Sequence, residues 1–441
     1  MAKEKKFDVA IVGGGIAGLT LAIALYHRGV PVTIYEQAPQ FAEIGAGVAF
    51  GPNAVEAMKV CHERIYAAFE KVTTKNLWLS KRNVWFDYVD GMDNPLDGTP
   101  RGQKIAFSIQ NRTGSAGVHR AHYLDELVKL IPLEIARFGK KLVDIQENGH
   151  GGKLVMQFKD GTTVETDAVI GCDGIKSRVR QIVVGPNHPS AQPVYTHKYA
   201  YRGLIPMEQA VEAIGDELAL NAVMHMGLGG HILTFPVAHG KILNVVAFKT
   251  TSDPWPDFQR LTRPATRGQA LSDFAGYGRN VTKILHLVKP DLSVWAIFDL
   301  GDHPVPSFCR GRICLVGDAA HATSPHHGAG AGMCIEDGAV LAELLADDQV
   351  LTRDDLEAVF ATFDAERRER GQWLVQSSRL IGDCYEWRAE GIGKDFAKIE
   401  KEINIRNGVI NDVDVIAMCE HAKKELTTRL AQPQEVPDSK K

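Results

Sequence analysis

Short apolar runs alternate with turns along the first third of the chain. Residues 7–12 read as a buried strand, 16–27 as a helix with an apolar face, and 30–35 as a second buried strand. Together they make a βαβ unit of about the usual ~30 residues. Tyr123, Leu124, Leu127, Leu130 and Ile131 recur at helical spacing, which predicts a helix over 120–138. Residues 143–146 read as a strand. The runs 154–158 and 162–165 flank Asp160-Gly161, a hairpin signal, and 169–171 is another buried strand. Residues 190–250 change character. Strand-like runs at 199–204, 231–235 and 242–248 predict an antiparallel sheet there, and 312–316 returns to the buried-strand pattern. Helices are expected over 333–346 and 354–380 and within 394–431, and the last ten residues read as disordered.

This order predicts a mixed α/β fold. A Rossmann-like domain (1–80, 105–185 and 300–380) is interleaved with an antiparallel-sheet domain (81–104 and 186–299), and 381–441 forms a helical segment with a disordered tail. No repeat or low-complexity linker separates the parts. The length of 441 residues suits two domains better than one.

Composition narrows the function classes. A net charge of −4 with 24% charged residues is ordinary for a soluble protein and argues against nucleic acid as a partner. No stretch approaches the ~20 apolar residues of a membrane span. The charged start, residues 1–6, leads straight into a strand and does not resemble a secretory signal, and Ser439-Lys440-Lys441 is not the peroxisomal tripeptide. The seven cysteines show no close metal-ligand spacing, and Cys172, Cys314 and Cys334 read as buried thiols. A cytoplasmic protein without a metal site is the expectation.

Three motifs carry the chemistry. Gly13-Gly14-Gly15-Ile16-Ala17-Gly18 follows a strand and opens a helix, the setting in which G-x-G-x-x-G binds a dinucleotide. Gly13 permits the tight turn, Gly15 the approach of a pyrophosphate, and Gly18 close packing of helix on strand. Glu36 ends the second strand, where its carboxylate can accept from ribose hydroxyls and repel a 2′-phosphate. This motif alone leaves FAD and NAD open. The second is Asp173-Gly174, inside 172–180 after a buried strand. The third is Gly317-Asp318-Ala319-Ala320-His321, followed by Pro325 and the glycines 328, 330 and 332 before a helix. An acidic residue at a strand end can hold a ribose or ribityl hydroxyl, and a glycine-rich helix start can hold an anionic ring edge.

In this order the motifs resemble those of the single-component, class A flavoprotein aromatic hydroxylases, the para-hydroxybenzoate hydroxylase fold, over roughly residues 7–380. Within that group the chain is similar to salicylate hydroxylases and to fungal hydroxylases that dearomatise phenols in polyketide pathways. The matching stretches are 43–48, 201–204, 317–321 and 325–332. The resemblance implies FAD as cofactor. Gly13, Gly15, Ala17 and Gly18 would lie at its pyrophosphate and Glu36 at the adenosine ribose. Gly47, Val48 and Arg120 would touch the flavin, Asp173 would lie near FAD and the donor's path, and Asp318 would hold the ribityl chain. Gly330, Ala331 and Gly332 would face the pyrimidine edge. NADH or NADPH would reduce the flavin, and O2 would then give a C4a-hydroperoxide that hydroxylates a small phenolic substrate.

A phenol reacts better as phenolate, and its ordinary pKa is near ~10. The site should therefore hold a cation or a base. Arg202, in a strand-like run with Tyr199, Tyr201 and Leu204, is the candidate cation, and the resembling dearomatising enzymes use an arginine in this motif. One of His326 and His327 should border the ring as base or donor. His225 and His231 read as structural. The dearomatising relatives also use a tyrosine where Leu233-Thr234-Phe235-Pro236 stands here, and Phe235 cannot donate that hydrogen bond. Its absence favours simple or decarboxylative ring hydroxylation over dearomatisation, although Tyr201 could substitute. A flavin epoxidase, a non-catalytic FAD-binding module and a nicotinamide-only dehydrogenase are the alternatives. A monomer or homodimer is expected, with the helices after 354 available for an interface.

Overall fold

The computed structural model describes residues 3–41, 47–93, 103–149 and 152–432. The expected βαβ unit is Val9–Val12, Ile16–His27 and Val32–Tyr35, with the two strands parallel. They join a six-stranded sheet in the order 309–310, 313–315, 168–171, 9–12, 32–35, 136–137. Its strands are parallel apart from the short 309–310 edge. Ile11, Ile34, Ile170 and Leu315 are fully buried, as the continuous apolar runs required. Helices Ile16–His27 and Gly330–Ala346 pack on each other against this sheet.

The second body is an eight-stranded sheet in the order 262–266, 291–299, 194–206, 242–250, 230–237, 223–227, 84–90, 105–110. It is antiparallel except where Val223–Gly227 runs parallel to Val84–Asp90. Residues 105–110, grouped above with the Rossmann-like part, are hydrogen-bonded into this sheet through Val84–Asp90. One face is covered by helices Met207–Ile214, Arg267–Asp273 and Arg279–Leu287, around Ile205, Val245 and Val281.

The helix expected over 120–138 ends at Val128, and Ala136–Arg137 is already a strand. Pro132 accounts for this, because its ring removes a donor and forces its predecessor out of the helical region. The 354–380 helix is Leu356–Tyr385, 30 residues or ~45 Å long. Its start packs with the first core through Phe360 and Phe363, and its end with the sheet core through Ile381 and Tyr385. This one helix braces both bodies. Phe396–Asn411 and Val415–Ala431 then pack back on the protein, burying Ile399, Ile403, Met418 and Leu426. Of the tail expected to be disordered, all but Gln432 lies outside the described residues, as do 43–46 of the 43–48 match. Among the described residues, no helix is long and apolar enough to cross a membrane.

Candidate active site

A cavity of about 850 Å³ opens where the carboxyl ends of the parallel strands face the eight-stranded sheet. Gly13, Gly15, Ala17, Glu36, Gly47, Val48, Arg120, Asp173, Arg202, Asp318, His326, His327, Gly330 and Ala331 all line it. Residues separated by more than 300 positions meet because each motif follows the end of a parallel strand.

The first turn is shaped for close approach. Gly13 has φ +104°, and a Cβ there would come within 2.4 Å of the Cys172 carbonyl oxygen. Gly18 does not reach the cavity, because its α-carbon lies under the Gly13 carbonyl, where a Cβ would sit at 2.0 Å. It packs helix on strand, the job its spacing suggested. Glu36 accepts from the Gly14 and Ala38 backbone N–H groups, each at 2.7 Å, one on each oxygen. That grip fixes the carboxylate on the cavity wall with lone pairs to spare.

Asp173 lines the cavity, yet its carboxylate is engaged by its own chain. Ser177 Oγ donates to it at 2.5 Å, and the Arg178 and Val179 N–H groups donate at 2.6 and 3.1 Å. Burial raises its pKa, and these donors oppose the shift. Asp318 is different: it is exposed to the cavity at the first position of the short helix Asp318–His321. Gly332 departs from expectation. Buried within helix Gly330–Ala346, it approaches Ala54, which a Cβ would meet at 3.0 Å, and only Gly330 and Ala331 line the cavity. Gly47 and Val48 come from strand Gly47–Ala49, paired with Ala116–His119, which delivers Arg120 to the same wall. A glycine cradle, an anchored carboxylate, an open aspartate and a helix start on one elongated cavity suit an FAD molecule.

The sheet wall is a ladder. Arg202, Val246, Leu233, Met224 and Tyr88 sit opposite one another across five strands, and all line the cavity. The next row over, Tyr201, Ala247, Ile232 and His225, faces the other way by the two-residue period. Tyr201 therefore cannot stand in for the missing tyrosine. Its hydroxyl, like that of Tyr199, donates to Asp273 on the far side, at 2.5 and 2.7 Å. Tyr201→Phe should lower folding stability by ~1–2 kcal/mol through that lost bond and leave the KM for any phenol unchanged, as chemical denaturation and steady-state kinetics would show. Phe235 lines the cavity with its ring against Gly47 and Gly117, where added Cβ atoms would meet it at 2.5 and 2.9 Å.

Arg202 is the unusual group. Its guanidinium lies over the Trp295 ring at 4.3 Å and has no ion-pair partner among the described residues, and its buried Nε has no hydrogen bond. Burial, and then the charge of Arg120, push its pKa down to about 10, so it is still charged at neutral pH. The two histidines separate cleanly. His327 Nε2 pairs with Ser377 Oγ at 2.8 Å, and burial drives its pKa down to about 3. His326 keeps both ring nitrogens buried and without a hydrogen bond among the described residues.

Two supports were not foreseen. Arg180, fully buried, donates to the carbonyls of Ile175, Asp318 and Ala319 and so ties the second motif to the third. Beneath the third motif, Asp337 accepts from Gly317 N–H at 3.0 Å, His321 Nε2 at 2.6 Å and Arg367 Nε at 2.9 Å. The neighbouring Glu336 pairs with Arg367 and Arg370 and accepts from Asn53. The sequence signal was Glu336-Asp337 inside an otherwise apolar helix, since buried carboxylates require partners.

Comparison with known proteins agrees with this geometry. Residues 6–199 and 280–378 match a family described as FAD binding domain. The FAD-dependent monooxygenase pigN of Monascus ruber is 48% identical over 436 residues, covering 97% of this chain and 98% of the relative. The salicylate hydroxylase asL1 of Sarocladium schorii is 40% identical, covering 97% and 92%. Among solved structures, a salicylate hydroxylase substrate complex superposes with a TM-score of 0.83 at 33% identity, covering 94% of this chain and 98% of that one.

Proposed function

Because the chain belongs to the FAD binding domain family and is a flavin-dependent monooxygenase, we propose that it hydroxylates a small phenolic substrate, bound as phenolate against Arg202, using O2 and NADH or NADPH. The observation that carries this reading is the Arg202 guanidinium, half-buried in the cavity wall with its Nε fully buried, an aromatic face beneath it and no counter-ion among the described residues. A partly desolvated cation without a partner carries a cost, and an anionic ligand removes it. An isolated alkene, the substrate of an epoxidase, would leave the cation unanswered. The names of asL1 and of the salicylate hydroxylase structure support a salicylate-type substrate. Phe235, with no hydroxyl to offer, supports simple or decarboxylative hydroxylation ahead of dearomatisation.

Bound FAD supplies the acceptance of hydride from the donor and the activation of O2. The chain supplies the rest. The Gly13–Ala17 turn would take the pyrophosphate, Glu36 the ribose, and Asp318 the ribityl hydroxyls. Gly47, Val48 and Arg120 would border the flavin from one wall, and Gly330 and Ala331, at a helix start, would set positive partial charge beside its pyrimidine edge. Arg202 would favour the ionised phenol, with His326 placed to receive its proton. The apolar ladder of Val246, Leu233 and Met224 would exclude water around the ring. On this reading the parallel-sheet body carries the cofactor and the antiparallel sheet the substrate. Seven unpaired cysteines suit the reducing cytoplasm, and a monomer or homodimer would suffice, since one chain contributes every wall.

The test is a screen of phenols, hydroxybenzoates and isolated alkenes for stimulated NAD(P)H oxidation, with products analysed after turnover under labelled O2. Phenols should stimulate oxidation and gain one labelled oxygen. Turnover of alkenes but not phenols would overturn the reading, and peroxide release without product marks an unproductive analogue.

A further inference from the structure

One buried amide joins the two walls of the cavity. Asn244 lies on strand Ile242–Thr250, opposite Leu204 on one side and Phe235 on the other. It shares a sheet face with Val246 and stands one row from Arg202, two residues or ~7 Å along the strands. Its Oδ1 accepts from the Gly47 N–H at 3.3 Å. We propose that Asn244 is a positioning residue: it fastens the strand Gly47–Ala49 to the substrate sheet and so fixes the gap between Arg202 and the flavin. The inference rests on the reading above that Gly47, Val48 and Arg120 border the flavin.

Packing alone does not account for an asparagine here. Asn244 is 3% exposed, and its Nδ2 has no hydrogen bond among the described residues. A stranded amide donor costs stability, and a leucine would fill similar space without that cost. The bond to Gly47 is the one hydrogen bond its side chain makes among the described residues. Because the Gly47 N–H can only donate, the amide must turn its oxygen towards it and leave the nitrogen stranded.

The two walls touch as closely as backbone allows. A Cβ on Gly47 would stand 2.5 Å from Phe235 Cζ and 3.0 Å from Asn244 Cγ. A Cβ on Gly117 would meet Phe235 Cδ2 at 2.9 Å. Gly117 belongs to Ala116–His119, the middle strand of a three-stranded sheet flanked by Gly47–Ala49 and Thr74–Lys75. On its other edge, Thr74 Oγ1 accepts from the His239 N–H at 2.9 Å. Each strand of the small sheet therefore meets the large one, through Asn244, Phe235 and His239 in turn. The Phe235 ring is a wedge in the space that two glycines leave, and the amide of Asn244 sets where Gly47 comes to rest against it. Gly47 also pairs with His119, which Arg120 follows directly. One bond thus registers both flavin-bordering segments against the Arg202 row.

A misplacement of ~1 Å between reacting groups can cost ~100-fold in rate. With the Gly47 N–H released, the strand lifts from the sheet and the gap widens. Donor and O2 are then consumed without a phenol gaining oxygen. NAD(P)H gives two electrons and one proton, solvent gives a second proton, and O2 leaves as hydrogen peroxide.

Three variants of the holoenzyme test this, with the bound flavin followed by visible absorbance and visible circular dichroism. Asn244→Leu fills the space without an acceptor, Asn244→Asp keeps the acceptor, and Gly47→Ala keeps the amide but forces the strand away from it. Asn244→Leu should form ~3- to ~30-fold less product per NAD(P)H oxidised, with hydrogen peroxide making up the difference. Its phenol KM should stay within ~3-fold, because Arg202 is intact. Its denaturant midpoint should be unchanged or higher, and its flavin dichroism should differ from wild type before any phenol is added. Asn244→Asp should keep the wild-type flavin band, and Gly47→Ala should reproduce the band and the uncoupling of Asn244→Leu. Wild-type coupling or a wild-type flavin band in Asn244→Leu overturns the proposal, as does an Asn244→Asp enzyme that behaves like it. If Asn244→Leu holds no flavin, Gly47→Ala decides alone, and wild-type coupling there overturns the proposal. A wild-type enzyme that oxygenates no phenol overturns the phenolate reading instead, and the flavin bands of the variants still decide the role of Asn244.

Discussion

Replacing Arg202 by methionine is expected to cut kcat/KM for a phenol by ~30- to ~5,000-fold while FAD stays bound. The range follows from the ~2–5 kcal/mol lost when one partner of a buried, hydrogen-bonded charge pair is removed, at ~1.4 kcal/mol per factor of ten. Methionine keeps an apolar stem over the Trp295 ring, 4.3 Å from the present guanidinium, and drops the charge. The sign of the stability change is the sharper part of the expectation. Arg202 has no counter-ion of its own among the described residues, so the protein without substrate should lose no stability and can gain some. A functional cation held in place at a cost to the fold gives opposite signs for activity and stability, whereas a structural arginine gives the same sign for both. Arg202→Lys should recover part of the activity as a point charge, lacking the planar fork that grips an anionic oxygen. Steady-state kinetics, denaturant titration with and without a phenol, and the spectrum of the bound phenol measure the three effects. Unchanged kcat/KM in the methionine variant would remove Arg202 from the substrate's binding site.

What could be read from the sequence divides by the range of the interaction. The turn at Gly13–Gly18, the strand before it and Glu36 after it form one local unit, and composition and spacing suffice to place them. The same holds for Asp318, whose glycine-flanked position at a strand end sets its exposure to the cavity. Alternation along 199–204 contained more than was drawn from it. If Arg202 points into the cavity, Tyr201 must point away, as its bond to Asp273 records. His326 and His327 could not be separated, because both are buried and both line the cavity, so no inward-outward alternation distinguishes them. The choice is made by Ser377, fifty residues on, which claims His327. Arg180 and Arg367 were invisible because each acts on a partner brought near only by the finished fold. The strand Val84–Asp90 escaped notice because it is buried along almost its whole length, so it shows no alternation.

Arg367→Ala is expected to cost ~3–5 kcal/mol of folding stability, the usual consequence of stripping one partner from a buried ionic cluster. Arg367 is fully buried and spans Glu336 and Asp337, which are fully buried as well. Arg370 would still hold Glu336, but Asp337 would keep only His321 and the Gly317 N–H. That last bond connects stability to function. Gly317 immediately precedes Asp318, so loosening Asp337 loosens the cavity wall, and FAD retention should weaken along with the fold. The cluster also sets a pH window. Asp337 is held down to about 2, chiefly by His321 and Arg367 acting against burial. With an unfolded value near ~3.9, its contribution is fully present above pH ~4 and is lost as pH falls towards ~2, amounting to ~2–3 kcal/mol. His321 runs the other way. Burial lowers its pKa, but Asp337 outweighs that and raises it above the ordinary value. Its contribution is therefore complete below pH ~6.5 and is lost as pH rises through the folded value. Stability should be greatest between about pH 4 and 6.5 and fall on either side, with FAD release following the same curve. Asp337→Asn should flatten both limbs, since it removes one titrating group and the carboxylate that shifts the other. Denaturant melts and flavin fluorescence across pH 3–9 measure the window, and steep limbs persisting in Asp337→Asn would assign them to other groups.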